Sequence, residues 1–80
     1  MRILVIEDDN EIRQALVANL KSASFAVDAT DCGEQGSYLA RANEYDLIVL
    51  DYMLPKKDGH RVCRDIRESQ KSTPIIMLSV

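Results

Sequence analysis

The chain is poor in the residues that break regular structure: two prolines and three glycines in 80 residues, against 46% hydrophobic and 29% charged. Disordered segments have the opposite balance, so a folded domain is expected, and the length allows one domain at most. A core of that size gives only marginal stability without extra support. There is no excess of positive charge. The formal net charge is −3, which argues against an electrostatic grip on nucleic acid by this segment. No apolar run is long enough to span a bilayer. Met1-Arg2 leads directly into five residues of strand character, without the longer apolar stretch and cleavage site of a signal peptide. Cytoplasm is therefore the expected compartment. Cys32 and Cys63 are too few and too far apart for a disulfide framework or a metal knuckle, and read as reduced thiols. The lone histidine, His60, sits among solvated charges and reads as a surface residue.

What is present is a repeated alternation. Residues 2–6 are continuous, apolar and β-branched, as in a buried strand. Asp9-Asn10-Glu11 supplies a helix start, and Ile12, Leu16 and Leu20 mark one face of a helix running to about Ser22. Residues 24–30 alternate and read as a second strand nearer an edge. Asp31-Cys32-Gly33-Glu34 opens a weaker helix continued by Tyr38, Leu39 and Ala42, with Gly36 inside it. Residues 46–50 form a third strand and 52–58 a loop. A third helix spans about 59–68, with Val62, Cys63 and Ile66 facing in. Ser72-Thr73-Pro74 ends that region, and residues 75–78 form a fourth strand. The order βαβαβαβ calls for a doubly wound α/β fold, a parallel sheet with helices on both faces and right-handed crossovers.

Two of these strands end in acid: the first in Glu7-Asp8-Asp9, the third in Asp51. Carboxylates repel one another, so clustering them costs stability unless a cation or a phosphoryl group makes use of the cluster. In open parallel sheets, sites form beyond the carboxyl ends of the strands, where strand order reverses. If strands one and three are neighbours, their ends lie about 5 Å apart, and Glu7, Asp8 and Asp51 face one pocket. Mg²⁺ takes one or two carboxylates with water and phosphate, and an aspartate beside it can act as a nucleophile toward phosphorus. Alone, Glu7 and Asp8 would fit helix-start acids on a solvated loop equally well. Asp51 shifts the balance, because it ends a buried strand with no helix immediately after it. Asp9 is best read as a helix N-cap. Lys56-Lys57 reads as a solvated loop tip.

With these residues in hand, the chain resembles the receiver domain of bacterial two-component response regulators. The resemblance is carried by Ile3-Leu4-Val5-Ile6-Glu7-Asp8-Asp9, by Ile48-Val49-Leu50-Asp51-Tyr52-Met53-Leu54-Pro55 and by Asp58-Gly59. Smaller matches are Ala29, Gly33-Glu34, Arg64, Ile66, Arg67 and Thr73 to Ser79. The Met-Leu-Pro after the aspartate is most similar to regulators with a winged-helix DNA-binding output domain. The resemblance implies a flavodoxin-like fold with strand order 2-1-3-4. It implies that Asp51 accepts a phosphoryl group from a sensor histidine kinase in a Mg²⁺-dependent reaction. Glu7, Asp8 and Asp51 would then hold the metal, with the Met53 backbone carbonyl completing its shell, and Ser79 would hydrogen-bond a phosphoryl oxygen. Pro55 and Gly59 would shape the loop. Such a domain is no enzyme beyond promoting its own phosphotransfer and dephosphorylation, and DNA is reached only through the output domain.

Set against the family, residues 1–80 correspond to a partial receiver domain lacking the final α-β-α elements. The lysine and the aromatic switch residue expected on those elements have no counterpart here. Slower or shorter-lived phosphorylation is then expected, with self-association through an apolar strand four and an uncovered sheet face. A competing reading is an interaction or dimerisation module that keeps the fold without phosphorylation. A haloacid-dehalogenase-like phosphatase would place its nucleophile on strand one, and a dinucleotide-binding domain would need a Gly-rich turn there. Neither pattern is present.

Overall fold

The computed structural model describes residues 1–78. Apolar runs and helical stretches alternate as β1 (Arg2–Ile6), α1 (Asn10–Ser22), β2 (Ala26–Thr30), α2 (Gly33–Ala42), β3 (Leu47–Asp51), α3 (Gly59–Glu68) and β4 (Ile75–Leu78). The four strands form one parallel sheet in the order β2-β1-β3-β4, the order the resemblance implies. The central strands β1 and β3 are buried on both faces, which is why both are apolar at nearly every position. Their side chains divide by parity. Leu4, Ile6, Ile48 and Leu50 pack with Ala40, Val62 and Ile66 under α2 and α3. Ile3, Val5 and Val49 pack with Leu16, Leu20 and Phe25 on the α1 side. Strand order reverses between β1 and β3, so the switch point lies at their carboxyl ends. No helix of the described residues is long and apolar enough to cross a membrane.

Helix starts follow the side chains that cap them. The Asp9 carboxylate accepts the Ile12 N–H at 2.9 Å, and Asp58 accepts the Arg61 N–H at 3.0 Å. Cys32 caps α2 through its sulfur, which accepts the Gln35 N–H at 3.4 Å. The buried side of α2 is made of small residues, Gly33, Gly36, Ser37 and Ala40. Tyr38 and Ala42, which continue the helical pattern in the sequence, point to solvent instead. Ile12 also departs from expectation. It is 48% exposed and lines the cavity at the carboxyl ends of β1 and β3.

At the amino ends of the strands, a polar clasp ties β1, β2 and the start of β3 together. The Arg2 guanidinium pairs with Asp28 at 2.8 Å and lies 5.1 Å from the centre of the Tyr45 ring. The buried Tyr45 hydroxyl donates to Asp28 at 2.7 Å, and the Arg2 main-chain N–H donates to Asp46 at 2.7 Å.

Candidate phosphoacceptor and metal site

Ile6 and Leu50 are paired across β1 and β3, and the next residue on each strand is an acid. Glu7 and Asp51 therefore meet at the switch point, both buried, and Asp8 joins them from the exposed start of the β1–α1 turn. Carboxylate oxygens of Glu7, Asp8 and Asp51 all lie within 4.8 Å of one another. These are three of the residues the sequence singled out. The fourth acid, Asp9, spends its carboxylate on capping α1, as expected. An open cavity of about 560 Å³ lies over the cluster, walled by Asp9, Ile12, Met53 and Leu78.

Like charge is not compensated there. Among the described residues the ion pairs are Arg2–Asp28, Lys57–Asp65 and Lys71–Glu44, none of them at the cluster. Arg13 comes near, but its guanidinium donates to the Glu7 main-chain carbonyl at 3.0 Å and to Asn10 at 2.6 Å. Burial pushes the Glu7 carboxyl up to about 7, and the neighbouring Asp51 and Asp8 add to the rise. One hydrogen bond, from the Asp9 N–H at 3.1 Å, acts against it. The donors on offer at the cluster are hard carboxylate oxygens. That set fits a hard divalent ion such as Mg²⁺ better than a soft metal, which would need sulfur or imidazole.

The loop after β3 completes the frame. The Met53 N–H donates to one Asp51 oxygen at 3.2 Å, which fixes the carboxylate plane. Leu54 is buried in the core below. The Gly59 N–H donates to the Tyr52 carbonyl at 2.9 Å. A Cβ at Gly59 would come within 2.8 Å of the Asp51 carbonyl and of the Tyr52 Cα, so this approach needs glycine. Pro55 lies in the same loop. Ser79 falls outside the described residues. His60 is exposed, with its ring 4.9 Å from that of Tyr52 in an edge-to-face contact. The Lys56-Lys57 expectation is corrected in part. Lys57 is no solvated tip, because its ammonium reaches Asp65 on α3 at 2.6 Å and is largely covered. The local sequence gives no sign of that partner eight residues away. The Arg13 contact was also missed, although Arg13 lies one helical turn past the Asp9 cap, on the side facing the β1 end.

The pattern of the response regulator receiver domain matches residues 3–80, and the chain belongs to that family, a class of signalling modules of two-component systems. It is 48% identical over 79 residues to the cell cycle response regulator CtrA of Brucella ovis, an alignment covering 99% of this chain and 34% of that protein. The chain thus spans about a third of the length of the curated relatives it matches. Among solved structures it is similar to the receiver domain of the sensor histidine kinase PA1611 of Pseudomonas aeruginosa, with a magnesium ion coordinated in the active site cleft. The TM-score is 0.89 at 33% identity, over 95% of this chain and 64% of that one. It is also similar to the response regulator TrrA of Thermotoga maritima in complex with Mg²⁺ and beryllofluoride. There the TM-score is 0.91 at 33% identity, over 98% of this chain and 68% of that one.

Proposed function

We propose that Asp51 accepts a phosphoryl group from a sensor histidine kinase, in a reaction that depends on Mg²⁺ held by Glu7, Asp8 and Asp51. The observation that carries this reading is the uncompensated triad, with its oxygens within 4.8 Å of one another at the switch point. Asp8, exposed and unconstrained by the sheet, is the direct ligand to the ion. The Met53 backbone carbonyl is a further ligand, and the Ser79 hydroxyl bonds a phosphoryl oxygen. In the transfer, an Asp51 carboxylate oxygen forms a bond to phosphorus while the P–N bond of the phosphohistidine breaks. The electron pair leaves on the imidazole, which takes up a proton. The Met53 N–H holds the other Asp51 oxygen and so orients the attacking one. Bound Mg²⁺ would supply charge neutralisation for the phosphoryl oxygens.

The magnesium-bearing and beryllofluoride-bearing relatives support this reading, as does the resemblance of the Met-Leu-Pro loop to regulators that bind DNA. Residues 1–80 are read as part of a receiver domain in a longer cytoplasmic regulator, in which a separate output unit contacts DNA to control transcription. The domain catalyses nothing beyond its own phosphorylation and dephosphorylation. Titration with Mg²⁺ and beryllofluoride tests the assignment: saturable binding is expected in the wild type and not in Asp51→Asn. Binding that survives the substitution overturns Asp51 as acceptor.

A second reading, self-association, has one specific observation behind it. β4 lies at an edge of the described sheet, and its Ile76 is 51% exposed. Light scattering at micromolar concentration decides it; a monomer rules it out.

A further inference from the structure

We infer that Lys57 is a positioning residue for the Asp51 site, acting through its ion pair with Asp65. The inference rests on the phosphoacceptor reading above and concerns how the loop of residues 52–58 is held. Met53 is the loop residue whose N–H donates to the Asp51 carboxylate, and it is 63% exposed. It has little packing of its own, so its backbone is placed by the anchors that follow it in the loop. Leu54 and Gly59 are two of them, one in the core and one against the Asp51 carbonyl.

Lys57 is the third. The chain turns back at Lys56, whose φ of 68° is left-handed, a conformation a non-glycine residue keeps only where its surroundings enforce it. The turn sends the Lys57 ammonium to Asp65 on α3 at 2.6 Å. The same Asp65 oxygen accepts a hydrogen bond from Ser37 on α2 at 3.1 Å, and Ser37 is fully buried. The hydrogen bond from Lys57 holds the Asp65 carboxyl below its ordinary range. The Lys57 carbonyl is also pressed onto the start of α2, where a Cβ at Gly33 would come within 2.5 Å of it. One lysine thus joins the loop to both helices on that face of the sheet.

A partly exposed ion pair adds little to overall stability. Its geometric effect is larger, because displacement of supporting groups by about 1 Å or loss of an outer contact weakens a site by tenfold or more. The test is calorimetric titration of the chain with beryllofluoride at saturating Mg²⁺. Lys57→Met and Asp65→Asn are each expected to weaken binding roughly tenfold or more, and the double variant no further. Lys57→Arg, which keeps charge and reach, is expected within about twofold of wild type. Thermal melts fix a temperature at which every variant is folded. Should Lys57→Met fail to fold, Asp65→Asn decides by the same ratio. Binding unchanged in a variant that melts lower assigns the pair to stability alone and overturns the inference, as does Lys57→Arg binding as weakly as Lys57→Met. The wild type is titrated first. If it does not bind, the phosphoacceptor reading fails, and the role of Lys57 with it; if it binds and the variants match it, only Lys57 is refuted.

Discussion

The guanidinium of Arg13 donates to the main-chain carbonyl of Glu7 at 3.0 Å. This cation beside the acid cluster is thereby committed to the backbone, and it braces the turn that presents Glu7 and Asp8 without pairing with either carboxylate. Replacing it removes a hydrogen bond with a charged donor from a half-buried carbonyl. Arg13→Met is expected to lower stability by about 1 kcal/mol, seen as a fall of about 4–8 °C in melting temperature for a domain of this size. An unchanged melt would show that water replaces the guanidinium at no cost.

Asp8 and Asp9 are adjacent acids with different work to do. Asp9→Ala removes the cap on the Ile12 N–H and is expected to cost about 1 kcal/mol of stability, with Mg²⁺ affinity retained. Asp8→Asn is expected to do the reverse, leaving the melt near wild type and weakening Mg²⁺ binding at least tenfold. Calorimetric titration beside thermal melts separates them, and equal loss of affinity in both variants would refute the division.

The buried Glu7 makes stability depend on pH in a set direction. Its carboxyl lies at about 7 in the folded chain against an ordinary value of 4.5, mainly because burial disfavours the charge. Below about 4.5 it is protonated whether the chain is folded or not, and its contribution is fully present. As pH rises toward about 7 the unfolded chain ionises first, so stability is lost across that interval. Urea midpoints from about pH 5 to about pH 8 are expected to fall in the wild type and to flatten in Glu7→Gln. Parallel curves would remove Glu7 as the cause.

Gly59→Ala puts a methyl group within 2.8 Å of the Asp51 carbonyl and the Tyr52 Cα, both main chain. Backbone yields less readily than the far end of a side chain, so a loss of about 1–3 kcal/mol is expected. Because the displaced atoms belong to the proposed acceptor, Asp51, and its neighbour, beryllofluoride binding should fall as well. Full binding in a destabilised variant would show that the loop relaxes away from Asp51.

How far the sequence could be read depends on the range of the interaction. β1 and β3 are legible because strands buried on both faces are apolar throughout, and the acids at their ends stand out against that background. Asp9 is legible because a cap acts over three residues. Contacts across long separations leave no local trace. Ser37 meets Asp65 across 28 positions and Tyr45 meets Asp28 across 17, and nothing beside either residue in the sequence points to its partner. The 3.6-residue period placed Ile12 and Tyr38 on helices correctly but not on a face. Ile12 is 48% exposed, and Tyr38 lies on a helix whose buried side is built of small residues.

The clasp of Arg2, Asp28, Tyr45 and Asp46 sits at the opposite end of the sheet from Glu7, Asp8 and Asp51. β1 and β3 are therefore riveted together at their tails, while their tips crowd three carboxyl groups within 4.8 Å of one another, as the jaws of closed tongs would. A divalent ion held between the tips, as proposed, would relieve that crowding without bending the arms. The movement that accompanies binding should therefore be concentrated in the turns beyond Ile6 and Asp51, with the strands themselves serving as a rigid handle.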